Sequence, residues 1–176
     1  MKGLMSAFAF SMMSVWFKLR DMLAPPKSIL GEVGIEPGFH LLDYGCGPGS
    51  YSLAAAELVG QGGKVYAADI DPLALRRVRS SASKKGLRNI EMVHTDCETG
   101  LENATIDVVL LYDTYHDLAE PDRVLEELHR VLKPGSILSF SDHHMTEGEI
   151  LEKVASQGLF ELRRRDKKTY SFARTG

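Results

Sequence analysis

The run His40-Leu41-Leu42-Asp43-Tyr44 passes directly into Gly45-Cys46-Gly47-Pro48-Gly49 and then into an alanine-rich segment, Ser50 to Val59. A short apolar run, a glycine turn and a helix-forming stretch read as a buried strand that turns sharply into a helix. That unit opens a doubly wound α/β sheet, in which ligand binds at the glycine turn. A second apolar run, Lys64-Val65-Tyr66-Ala67-Ala68, ends in Asp69. An acid at the end of the second strand is where such a sheet holds a ribose. Asp71 precedes Pro72 and reads as the N-cap of the next helix, which leaves Asp69 free for the ligand.

The rest of the chain continues the alternation. Pro25-Pro26 breaks the chain, and Pro26 starts a short helix that ends near Gly34. The first strand is predicted over Phe39 to Asp43. A helix over Pro72 to Lys85 stops at Gly86, and a third strand spans Ile90 to His94. Ile106 to Leu111 is an almost unbroken apolar run, as expected of a strand covered on both faces. A helix from Pro121 ends at Lys133-Pro134-Gly135, and a fifth strand covers Ser136 to Ser141. Thr146 and Glu149 make a capping-box pattern for a last helix, ended by Gly158. Phe160 to Arg165 and Lys168 to Phe172 are short and closely joined, which predicts an antiparallel hairpin. The expected fold is a Rossmann-like sheet of mostly parallel strands, with helices on both faces and a closing C-terminal hairpin.

At 176 residues the chain suits one core. A net charge of −3 argues against a general nucleic-acid binder. Two cysteines, Cys46 and Cys97, both fall at loop positions and form no paired framework, which fits a reducing, cytoplasmic setting. The apolar stretch from Leu4 to Phe17 is too short for a membrane span, which takes about 20 residues. No small-x-small cleavage site follows it. Phe8, Met12, Val15, Leu19 and Met22 recur at helical spacing, so residues 1–26 are expected to form an amphipathic cap and 27–176 the α/β domain. The cap's simplest role is to cover the domain; a lid over substrate and a membrane-surface contact are the alternatives.

The glycine spacing separates the two cofactor classes that use this architecture. Dinucleotide sites carry G-x-G-x-x-G and bind a pyrophosphate at the helix N-terminus. Gly45, Gly47 and Gly49 give G-x-G-x-G, a turn with no demand for a diphosphate. It lets backbone pass close beneath an amino-acid-like group.

On these residues the chain resembles the class I S-adenosylmethionine-dependent methyltransferases. Asp43 to Gly49 is similar to their first motif, Val65 to Asp69 to their second strand and ribose-binding acid, and His94-Thr95-Asp96-Cys97 to the adenine-lining segment. Ile106 to Tyr112 is similar to their fourth-strand motif. Leu125 to Gly135 is similar to the helix and turn of the subgroup that includes ubiquinone and menaquinone biosynthesis methyltransferases. The resemblance implies S-adenosylmethionine as cofactor. It implies that Asp69 accepts from both ribose hydroxyls and that Ile70 packs on the adenine. Asp96 would accept from the adenine amino group, and the Cys97 amide would meet a ring nitrogen. Gly45, Gly47 and Gly49 make room for the methionine part, with Asp43 orienting the loop or reaching the methionine amino group. Cys46 and Tyr112 line the same site. Cys46 reads as a small filler, since no partner base lies near it in sequence.

Catalytic candidates cluster after the fourth and fifth strands. Histidine as a residue type is the usual general base, which makes His116 the candidate, and Asp113 of the same loop is the second catalytic candidate. Asp142, His143 and His144 follow the fifth strand. A metal site there is set aside, because consecutive residues rarely both point inward and no spaced ligand pair exists. The expected acceptor is a small molecule, apolar if the N-terminal cap closes over it. The loop after the fourth strand lacks the Asn/Asp-Pro-Pro-aromatic pattern that goes with planar amino acceptors. Arg163-Arg164-Arg165-Asp166-Lys167-Lys168 reads first as a charged sheet edge that discourages strand pairing. RNA methylation through that basic hairpin, or cofactor binding without catalysis, are the competing functions.

Overall fold

The computed structural model describes residues 25–176, so almost all of the amphipathic cap expected over 1–26 lies outside the described residues. A short helix α1 (Pro26–Val33) leads into strand β1 (His40–Tyr44), followed by α2 (Ser50–Val59), β2 (Lys64–Asp69), α3 (Pro72–Lys85) and β3 (Ile90–His94). Next come β4 (Ile106–Tyr112), a 3-10 turn (Tyr115–Asp117), α4 (Pro121–Val131), β5 (Leu132–Ser141), α5 (Glu147–Ala155), β6 (Phe160–Arg165) and β7 (Tyr170–Arg174). The seven strands form one sheet in the order β3-β2-β1-β4-β5-β7-β6. β1 to β5 run parallel, and β7 pairs antiparallel with both β5 and β6.

The apolar run of β4 explains the two-layer packing. Its alternate residues point to opposite faces. Val109 and Leu111 join the core under α4 and α5, with Phe140, Phe160 and Phe172. Val108, Leu110 and Tyr112 join the core under α1 and α2, with Leu41 and Ala55. Both faces are covered, so no polar alternation is left in the strand.

Local chemistry sets the helix ends. The Leu73 N–H donates to Asp71 Oδ1 at 2.8 Å, Pro72 takes the first helical position of α3, and Gly86 closes it in a left-handed conformation. Thr146 and Glu149 form the reciprocal capping box of α5.

One boundary differs from the sequence reading. Lys133-Pro134-Gly135 was read as a helix stop and turn, yet β5 already begins at Leu132. Leu132 pairs with Ile106, and the register then shifts before Val108 pairs with Ile137. Proline lacks an N–H, so it is tolerated at such an irregularity. Lys133 also pairs with Asp107 at 2.5 Å and ties the start of β5 to β4.

Candidate active site

The glycine turn sits between the carboxyl ends of β1 and β2. The N–H groups of Gly45 and Cys46 both donate to the carbonyl of Ala68, at 2.8 and 3.0 Å. The Gly47 N–H donates to Asp69 Oδ2 at 2.8 Å, while Asp69 Oδ1 accepts from the Asp71 N–H at 2.8 Å. One carboxylate therefore fixes both the turn and the start of α3. Burial pushes the Asp69 carboxyl up, against the backbone donors that hold it down.

Two glycines carry the turn. Gly45 has φ +76°, and a Cβ there would lie 2.3 Å from Thr114 Oγ1. Thr114, in the loop after β4, is thus packed directly on the turn. Gly47 has φ +51°, but a Cβ there would meet nothing within 4 Å. Backbone at Gly47 faces open space, the side on which a ligand would approach. Gly45→Ala is expected to cost about 2–4 kcal/mol, from the left-handed conformation and the overlap with Thr114. Adding Thr114→Ala should relieve the overlap and leave the backbone part. Urea unfolding of the single and double variants checks this; full recovery in the double variant would show that the conformation costs nothing.

The other predicted cofactor residues fall around this turn. Ile70 is 58% exposed, the most exposed large apolar side chain among the described residues. It follows Asp69 directly, and His94 Nε2 lies 3.0 Å from its carbonyl oxygen. An apolar side chain left in water beside a buried carboxylate fits a planar ring. Asp43 is buried, and its Oδ2 accepts from the Ser52 hydroxyl on the first turn of α2. Cys46 is buried, and burial pushes its thiol well above the ordinary value, which suits a filler and not a nucleophile. Gly49 precedes α2 at φ +88°.

Asp96 and Cys97 lie in the loop after β3. Asp96 is exposed, whereas Cys97 is partly buried and its thiol is pushed up by burial. The Cys97 N–H donates to Thr95 Oγ1 at 3.0 Å, so the amide expected to face an adenine nitrogen is already engaged. Tyr112 differs from its expected role as pocket lining. Its ring packs edge-on against Tyr51 with centroids 4.8 Å apart, and its hydroxyl bonds the Ser139 hydroxyl at 2.7 Å inside the core.

Sequence reasoning missed the residue that pins the loop after β3. Glu127 of α4 accepts from the Thr99 N–H at 2.7 Å and its hydroxyl at 2.6 Å, and pairs with Arg130 at 2.7 Å. Burial raises its carboxyl, but the Arg130 and Thr99 bonds outweigh this and hold it below the usual range. The signal was present: Glu127 lies beside the apolar face made by Val124, Leu125, Leu128 and Val131.

The ends of β4 and β5 bring histidines and aspartates together. The Asp142 side chain is fully buried. It accepts from the His116 N–H at 3.1 Å and from the His144 N–H at 3.0 Å, and both its oxygens lie 2.9 Å from His116 Nδ1. His116 Nε2 lies 3.3 Å from Asp117 Oδ2. Asp113 adopts φ 50°, unusual for a non-glycine residue, and its Oδ1 lies 2.7 Å from His143 Nδ1. The two predicted catalytic residues thus stand in separate His–Asp contacts, His116 with Asp142 and Asp113 with His143. By contrast, the basic hairpin is partly neutralised: Arg164 pairs with Asp166 at 2.8 Å and Arg165 with Glu147 at 2.7 Å.

Asp69, the open backbone at Gly47 and exposed Ile70 together fit a ligand with a hydroxylated sugar, a planar ring and an amino-acid tail. Comparison with known proteins agrees. The demethylmenaquinone methyltransferase of Geobacillus stearothermophilus is 30% identical over 112 residues, 63% of this chain and 48% of that protein. The ubiquinone/menaquinone biosynthesis C-methyltransferase UbiE of Pseudoalteromonas translucida is 28% identical over 138 residues, 77% of this chain and 55% of that protein. The chain spans about half the length of these curated relatives. A solved SAM dependent methyltransferase from Aquifex aeolicus is 27% identical and superposes with a TM-score of 0.77, covering 88% of this chain and 91% of that one. Residues 35–170 match the methyltransferase domain family. On that match and on the shared fold, the chain belongs to the methyltransferase domain family, of the class I kind that uses S-adenosylmethionine.

Proposed function

We propose that the protein transfers a methyl group from S-adenosylmethionine to a small-molecule acceptor. The observation that carries this reading is the Asp69 carboxylate, held at the end of β2 by Gly47 and Asp71, beside an exposed Ile70 and an open glycine turn. Asp69 would hold the ribose hydroxyls, Ile70 the adenine face, and the backbone at Gly45 and Gly47 the methionine tail. When bound, the cofactor supplies a sulfonium-activated methyl group, so the protein's work is positioning and exclusion of water. His116 takes the acceptor's proton. Asp142 holds Nδ1, so Nε2 takes the proton, and Asp117 Oδ2, 3.3 Å from Nε2, stabilises the charged ring that results. The curated relatives are named for demethylmenaquinone and for ubiquinone/menaquinone biosynthesis, which favours a quinone-related acceptor. The ion pairs of the basic hairpin count against RNA.

The test is transfer of labelled methyl from S-adenosylmethionine to a panel of naphthols, hydroquinones, thiols, amines and total RNA. Label in a small aromatic product is the expected result. Tight cofactor binding with no product across the panel would leave a binding module; label in nuclease-sensitive material would replace the small-molecule reading.

A further inference from the structure

We propose that Asp113, Asp142 and His143 bind one divalent first-row transition-metal cation at the joined ends of β4 and β5. One ligand atom from each of these residues lies within 4.8 Å of the others. Metal bonds from carboxylate oxygen or imidazole nitrogen run about 2.0–2.2 Å, so ligands of one ion stand at most about 4.4 Å apart. The cluster needs to close by only a fraction of an ångström. Two carboxylates with one imidazole suit the borderline cations, manganese to zinc, better than magnesium or calcium.

The adjacent-residue objection fails for a structural reason. Asp142 is fully buried and His143 is 57% exposed, yet one ligand atom of each lies within 4.8 Å of the other. The third ligand comes from the neighbouring strand. β4 and β5 pair in register at Tyr112 and Ser141, and the Asp113 N–H donates to the Ser141 carbonyl at 2.8 Å. That pairing sets Asp113 beside the Asp142-His143 step, and the His143 N–H donates to Asp113 Oδ1 at 3.1 Å.

The buried charge is the second, independent reason. A carboxylate removed from water is normally paired or bound to metal. Among the described residues, the partners of Asp142 are two backbone N–H groups and the His116 ring, with no lysine or arginine. Those donors also look like the outer shell of a metal site, in which ligating carboxylates are themselves hydrogen-bonded and so aimed. His116 then orients Asp142 as well as serving the acceptor. Three protein ligands leave open positions on the cation for an oxygen of the acceptor. That placement on the acceptor side rests on the methyl-transfer reading, whereas cation binding does not.

The test uses the full chain after chelation, with manganese(II) followed by loss of the free-ion electron paramagnetic signal and no cofactor or acceptor present. One bound ion per chain is expected, displaced by zinc(II). Asp113→Asn and His143→Ala should each weaken binding at least tenfold. Far-ultraviolet circular dichroism and calorimetric binding of S-adenosylmethionine confirm that the variants fold. Binding that is unchanged in both folded variants would place the ion elsewhere and overturn the proposal. So would the absence of manganese, cobalt or zinc binding by the folded wild-type chain. Because the readout needs no methyl transfer, an inactive but metal-binding chain would fail the function and spare the site, and the reverse outcome would do the opposite.

Discussion

Asp69→Ala should lower the affinity for S-adenosylmethionine by about 10²–10⁴-fold. A carboxylate offers roughly four acceptor sites. Two are taken, by the N–H groups of Gly47 and Asp71. Two remain for two ribose hydroxyls. Hydrogen bonds to a charged group contribute about 1.5–3 kcal/mol each, so losing both costs about 3–6 kcal/mol, and each 1.4 kcal/mol is tenfold. The same change removes an acceptor from the glycine turn and from the start of α3. A fall of a few degrees in melting temperature should therefore accompany the loss, with the fold retained. Calorimetry separates the two effects, and Asp69→Asn, which keeps one acceptor oxygen, should fall between. Affinity within threefold of wild type in the alanine variant would remove the ribose assignment.

His116→Ala should lower turnover by about 10²–10⁴-fold, the usual contribution of a positioned general base, with cofactor affinity unchanged. The ring is partly exposed, and its Nδ1 is anchored by a buried carboxylate. Asp142→Asn should lower kcat through the ring's orientation and tautomer, with cofactor affinity unchanged. The pattern to look for is a loss in kcat at constant cofactor Kd, larger for acceptors with less acidic hydroxyls. Turnover within threefold of wild type in His116→Ala would show that the acceptor gives no proton to this ring.

The strands that build the cofactor side were legible because each is a single run of residues. Apolar Ile106 to Leu111 has no other reading than a covered strand, and a glycine turn after β1 is a local event. Asp71 capping α3 was legible for the same reason, since cap and helix are neighbours in sequence. The start of β5 was not, because Lys133-Pro134-Gly135 carries the local marks of a turn and only its pairing with β4 makes it strand. The histidine–aspartate contacts were hidden for a related reason. His116 and Asp142 stand 26 residues apart, and Asp113 and His143 stand 30 apart. Their meeting depends on β4 and β5 lying side by side in register, which no residue pattern states. The Tyr112 assignment followed its motif, and no residue pattern states that its ring packs on Tyr51 in the core.

The strand order has a further consequence for biogenesis. β7 follows β6 in the chain but lies between it and β5. Until β7 leaves the ribosome, β5 carries an unsatisfied border of amides and carbonyls that any other extended peptide could adopt. Phe140 and Phe160 stay without Phe172 over the same interval. A nascent chain that has emerged only as far as Thr169 should therefore be a preferred client of holdase chaperones, whereas one that has emerged past Arg174 should be released.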